Sequence, residues 1–105
     1  MPKEDESVLK LVKAMVLEAE PTAQVMLFGS RARGDARPDS DWDIMVVVDS
    51  PKVSDQQFEK LNYNVWLKGL EMGQEINPVI YTKKRWESKA PSLFLHHVKA
   101  EGIML

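Results

Sequence analysis

Cysteine is absent from the 105 residues. No disulfide framework can form and no thiolate can ligate a metal, so any metal must be held by oxygen or imidazole. Imidazole is scarce as well: the two histidines are neighbours, His96 and His97, and on a helix adjacent side chains diverge by about 100 degrees, too far to share one ion. Also missing is an apolar run near the roughly 20 residues that span a bilayer. The start, Met1-Pro2-Lys3-Glu4-Asp5-Glu6, lacks the charged-then-apolar order of a secretory signal. A cytoplasmic protein with no membrane partner is expected. Charge of one sign does not dominate either. Fourteen Lys and Arg against 16 Asp and Glu leave a net charge of -2, so no global field draws in nucleic acid or an anionic surface, and a nucleic-acid partner is not expected. Repeats and low-complexity linkers are lacking. What remains is an average globular composition, 44% hydrophobic and 29% charged, in a length that fits one domain over residues 1–105.

Apolar spacing divides the chain. Val8, Leu11, Val12, Met15 and Val16 recur at helical intervals behind Asp5 and Ser7, either of which can cap the start, so residues 6–19 are predicted to be an amphipathic helix ended near Pro21. Residues 25–28 are a short continuous apolar run flanked by Gly29 and Ser30, the pattern of a buried strand, and residues 30–33 have the length of one helical turn. Residues 44–48 are a second, largely β-branched run. They predict a central strand that starts near Asp41, with both strands buried on both faces. Ser54 and Gln57 match a capping box, and Phe58, Leu61, Val65, Trp66 and Leu70 continue at helical spacing toward Gly73, predicting the longest helix. Residues 74–82 read as a third strand in which Pro78 marks an edge or a bulge. Residues 91–99 read as a last short helix, separated by Gly102 from an apolar tail, residues 103–105, able to join the sheet.

The segment Gly29-Ser-Arg-Ala-Arg-Gly-Asp-Ala-Arg-Pro-Asp-Ser-Asp-Trp-Asp43 carries the chemistry. On a strand, alternate side chains share a face, so Asp41 and Asp43 project together while Trp42 and Ile44 point to the packed side. Adjacent carboxylates repel, and such a pair is stable at neutral pH chiefly when cations sit between the oxygens. Magnesium favours such oxygen ligands while keeping waters and substrate phosphates. Two ions about 3.5–4 Å apart can hold the attacking and leaving oxygens of a displacement at phosphorus. Gly29 lets the backbone approach a phosphate and Ser30 adds a hydroxyl donor. No Walker lysine and no three-glycine dinucleotide fingerprint follow. Taken singly, Gly-Ser after a strand is ordinary turn chemistry, and Asp-x-Asp says little more. Trp42, Trp66 and Trp86 read as core or rim residues, and Lys83, Lys84 and Arg85 as a solvated helix start or a groove for an acidic partner. The tripeptide Arg33-Gly34-Asp35 spells an integrin motif, which has no place in a chain without secretion signal or disulfides.

Together the two pieces resemble the minimal nucleotidyltransferases of the DNA polymerase β superfamily, whose motif is Gly-Ser, ten residues, then Asp-x-Asp. Here Gly29-Ser30 is followed by ten residues, Arg31 to Ser40, and then Asp41-Trp42-Asp43. The resemblance implies an α/β (α+β) fold of the polymerase β-like type, a small mixed sheet with helices packed mainly on one face. It implies that Gly29 and Ser30 hold a triphosphate and that Asp41 and Asp43 bind two Mg2+ ions, with Arg31 and Arg33 as further nucleotide contacts. The activity implied is transfer of a nucleoside monophosphate, AMP from ATP, to a hydroxyl acceptor. The family adds a third carboxylate on the next strand, where alternation puts Glu75 and Asn77 on one face. If Glu75 lies opposite the pair, it completes the catalytic and metal triad. If Asn77 does, an amide that cannot take a proton at neutral pH stands there, and catalysis should be weak or absent. A domain this short has little surface for an acceptor, so a partner chain or second copy is expected to supply it. Resemblance to short bacterial members implies a HEPN-type protein paired as toxin to antitoxin. The alternative is a degenerate binding module that masks its partner.

Overall fold

A computed structural model of the chain describes residues 3–90 and 92–105. Helix α1 runs Lys3–Ala19 and is followed by strand β1, Gln24–Phe28, the single turn α2, Ser30–Arg33, and strand β2, Trp42–Val48. Helix α1 starts three residues before the expected Glu6, because the polar residues Lys3 to Asp5 carry no apolar period to reveal them. Helices α3, Asp55–Phe58, and α4, Asn64–Glu71, are joined without a break by a π-helical stretch, Glu59–Tyr63. Strand β3, Ile76–Thr82, the turn α5, Lys83–Trp86, helix α6, Leu93–Glu101, and strand β4, Ile103–Met104, complete the order. Pro91, the expected start of the last helix, lies outside the described residues.

Among the described residues four strands form one mixed sheet in the order β3-β2-β1-β4. Strand β1 is antiparallel to β2 and to β4, whereas β2 and β3 are parallel and joined through the α3–α4 helix. Strand β2 is therefore central and reads apolar on both faces, as a strand covered on two sides must. On one face Val25, Leu27, Trp42, Ile44, Val46, Val48 and Ile76 pack against Val8, Val12 and Val16 of α1 and against Leu61 and Val65. The opposite face has a smaller cluster in which Leu95 and Val98 of α6 cover Met26, Met45 and Val47. Most of the helical mass thus lies on one face, with α6 shielding part of the other.

Local chemistry explains the joints. Ser54 accepts from the Gln57 backbone N–H while the Gln57 side chain accepts from Ser54 N–H, so the expected capping box closes reciprocally. Gly73 (φ +74°) ends α4, and Gln74 N–H returns to the Gly69 carbonyl at 2.9 Å, which delays the next strand to Ile76. Trp42 N–H donates to the Glu75 carbonyl at 2.8 Å, so in the parallel ladder odd-numbered β3 residues face β2 and Pro78 faces the open edge, where no N–H is missed. The Pro78 carbonyl on that edge accepts from Asn62 Nδ2 at 2.6 Å. Asn62 belongs to the π-helical stretch, whose wider turn keeps Leu61 fully buried beside it.

Candidate active site

The sheet brings the sequence motif together at one end of β1 and β2. Phe28 is paired with Asp43 across the antiparallel ladder, so Gly29, the next residue, lies directly beside the Asp43 side chain. Gly29 has φ +77°, and a methyl group at its Cα would overlap the Asp43 carboxylate. Glycine suits the position for its backbone angle, and any side chain there would have to displace the Asp43 carboxylate. The chain then turns into α2, with Ala32 N–H and Arg33 N–H both donating to the Gly29 carbonyl at 3.1 Å, and Gly34 in the left-handed region closes the turn. No described side chain holds the Ser30 hydroxyl, which is half-buried at the start of the turn.

Asp41 is the last loop residue before β2 and is exposed, whereas Asp43 is half-buried within the strand. Between them Trp42 is 1% exposed and faces the larger core, and its Nε1–H donates to Gln74 Oε1 at 3.0 Å. Burial, and then repulsion from Asp41, raise the Asp43 pKa above the ordinary carboxylate value, with Arg33 partly offsetting them. A divalent cation would relieve both effects, so the donor set fits a hard oxygen-loving ion. Opposite Asp43 in the parallel register stands Asn77, and its Nδ2 donates to Asp41 Oδ2 at 3.2 Å. Glu75 is exposed just before β3, where its backbone carbonyl anchors Trp42. Among the described residues no group of three or more His, Cys, Asp or Glu side chains is placed to hold a metal ion. The pair of aspartates is joined by an amide, and Glu75 is not gathered with it.

The two arginines diverge. Arg33 is about half exposed, with Nη1 at 3.2 Å from Glu101 Oε2 and Nε at 3.3 Å from Asp35 Oδ2. Arg31 is largely buried and turned onto the carbonyls of Ser40 and Pro38 and onto the ring of Trp42. Its donors are aimed at the loop that leads to Asp41. Asn77 was one of two candidates for its position, but neither the Gly29–Asp43 contact nor the Arg31 cluster has a local sequence signal. His96 and His97 are exposed on α6.

A family model described as a nucleotidyltransferase domain matches residues 8–99. Among solved structures, a toxin-antitoxin with AMP-PNP is 21% identical and superposes with a TM-score of 0.61, covering 92% of this chain and 70% of that one. A structure assigned as a nucleotidyltransferase, from Sulfolobus solfataricus, is 19% identical with a TM-score of 0.52, covering 93% and 76%. At these identities the likeness is one of fold. No curated protein matches the chain.

Two outcomes are expected. Gly29→Ala should lower the unfolding free energy by about 1–3 kcal/mol in urea titration, through strain at positive φ and displacement of Asp43. The second concerns pH. The native Asp43 pKa is raised, so the folded state holds a proton that the unfolded chain has already released. Its contribution to stability is present below the unfolded carboxylate pKa and is lost as pH rises through the native value. Metal-free protein should therefore lose stability across that window, and Asp43→Asn should flatten the loss, read from denaturation curves at stepped pH.

Proposed function

The chain belongs to the nucleotidyltransferase domain family, and from that premise we propose that it binds a nucleoside triphosphate with magnesium and transfers the nucleotidyl group, AMP from ATP, to a hydroxyl of a partner protein. The observation that carries this function is the packing of the Asp43 carboxylate against the Gly29 turn. One nucleotide held at Gly29 and Ser30 would then have its phosphates within reach of a metal held by Asp41 and Asp43. Arg33 is itself 44% exposed and forms ion pairs with the carboxylates of Asp35 and Glu101, pairs of the kind that contribute little and exchange readily, and its charge already acts on Asp43, so it can turn to phosphate oxygens. Magnesium, when bound, neutralises the two aspartates and the charge that develops on the phosphates. In the transfer, the acceptor oxygen bonds to the α-phosphorus as the bond to the bridging oxygen of pyrophosphate breaks, and the hydroxyl proton passes to a base. Glu75, the third carboxylate that the family resemblance implies, is the base this reading names.

A partner protein is supported by likeness of fold: one solved structure of similar fold is a toxin-antitoxin with AMP-PNP. A HEPN-type toxin is the partner that the family resemblance implies, with a second copy of the chain as the other source of an acceptor.

Asn77 favours a second reading. Its amide occupies the register position opposite Asp43 and hydrogen-bonds Asp41, and an amide neither accepts a proton at neutral pH nor adds negative charge for a second ion. The chain would then bind nucleotide or only mask its partner.

Incubation with Mg2+ and α-labelled ATP, with and without the product of the neighbouring gene, separates the two. Label should pass to the partner with the parent and fall by about 10²-fold or more in Asp41→Asn and Asp43→Asn. Loss in Glu75→Gln would identify Glu75 as the base, and near-parental turnover would remove it from the site. Nucleotide binding without transfer in the parent, with transfer gained in Asn77→Asp, would establish the binding module.

A further inference from the structure

Arginine in a polar loop is ordinarily solvated, yet the Arg31 side chain is 9% exposed. Its Nε and Nη2 donate to the Ser40 carbonyl at 3.1 and 2.8 Å, and Nη2 also reaches the Pro38 carbonyl at 3.2 Å. Nη1 lies 3.7 Å from Asp5 Oδ1 of α1. The guanidinium plane covers Trp42, with Cζ 4.0 Å from the ring centroid. Ser40 is fixed in turn, since its N–H donates to the Arg37 carbonyl at 3.0 Å and its Oγ accepts from Arg37 N–H at 2.8 Å. Trp42 is held from its other side by Gln74 and by the Glu75 carbonyl.

Ser40 and Trp42 are the residues on either side of Asp41. Both are gripped by one guanidinium, which starts from the turn that follows Gly29. We propose that Arg31 is a positioning residue: by holding Ser40 and Trp42 it sets the direction of the Asp41 carboxylate toward Asp43 and ties the metal-binding strand end to the phosphate-binding turn. It makes no contact with phosphate in this role. Only a planar fork can take a carbonyl in two bonds while stacking on an indole, so lysine cannot replace it. Asp41, which is exposed and lies outside the strand, has little else to fix it apart from its bond to Asn77.

The inference rests on the metal site proposed above, and the test separates the two. Mn2+ binding followed by electron paramagnetic resonance, metal-free binding of inorganic tripolyphosphate, and hydrogen exchange over residues 37–42 are measured for the parent, Arg31→Gln, Arg31→Lys and Asp41→Asn. Arg31→Gln should weaken Mn2+ by about tenfold or more, as Asp41→Asn does, with no further loss in the double variant. It should leave tripolyphosphate affinity within about twofold and speed exchange at residues 37–42. Arg31→Lys should not rescue either effect, and it carries the same test if Arg31→Gln does not fold. Parental Mn2+ affinity and parental exchange in both variants would overturn the proposal, as would an equal loss of tripolyphosphate, the signature of a phosphate ligand. Should the parent itself bind no Mn2+, the metal site falls, while the exchange rates still decide whether Arg31 braces the loop.

Discussion

Two carboxylates on one side of a buried strand's end, one of them packed against the backbone of a glycine, are the constraint around which the molecule is arranged. Asp43 resists ionisation because it is half-buried and because Asp41 is beside it, so the folded apo protein carries a local electrostatic cost. The rest of the fold holds that arrangement in place. Strand β2 is anchored by side chains buried on both faces, Trp42 is locked among Arg31, Gln74 and the Glu75 carbonyl, and Gly29 leaves just enough room for the Asp43 oxygens. A core that did not fix β2 would let the two acids swing apart into water. Their retention beside a glycine turn makes physical sense as a seat for a cation and a polyphosphate.

The layer structure decides which side of the sheet is available. Pleating sends Trp42, Ile44, Val46 and Val48 into the larger core and leaves Asp43 on the side that α6 covers only in part. The antiparallel β1–β2 pair brings the Gly29 turn to Asp43, and the parallel β2–β3 pair brings Asn77 to it. One antiparallel and one parallel neighbour thus deliver groups from two distant segments to a single strand end. Arg33 and Glu101 link the turn to the end of α6, so the short C-terminal helix also borders the site.

Much of this was legible in the sequence because the elements obey local rules. Residues 25–28 and 44–48 are uninterrupted apolar runs, which only two-sided burial explains; Ser54 and Gln57 spell a capping box; Gly73 stops α4; and Pro78 announces an edge. The π-helical stretch was not legible, since its cause is tertiary, with Leu61 drawn into the core while Asn62 reaches Pro78. In the site, the Gly-Ser and Asp-x-Asp spacing located the acids and the turn, but whether Glu75 or Asn77 meets Asp43 depends on strand register. That register is set by long-range pairing beginning at the Trp42–Glu75 bond. The surroundings of Arg31 were equally out of reach: a polar-loop arginine is ordinarily solvated, and only folding brings Trp42, Ser40 and Asp5 to its donors.

Asn77 gives the site its chemical character. With a neutral amide bound to Asp41, the pair would offer a metal two negative charges where a third carboxylate would make three, and a divalent ion would compete for the same Asp41 oxygen. The central claim, that Gly29, Ser30, Asp41 and Asp43 form one seat for a metal and a triphosphate, is tested most directly by a crystal structure with Mg2+ and AMP-PNP. The expected result is phosphate oxygens against the Gly29-Ser30 turn and an ion shared between those oxygens and both aspartates. A nucleotide bound elsewhere, or an ion that touches neither Asp41 nor Asp43, would contradict it.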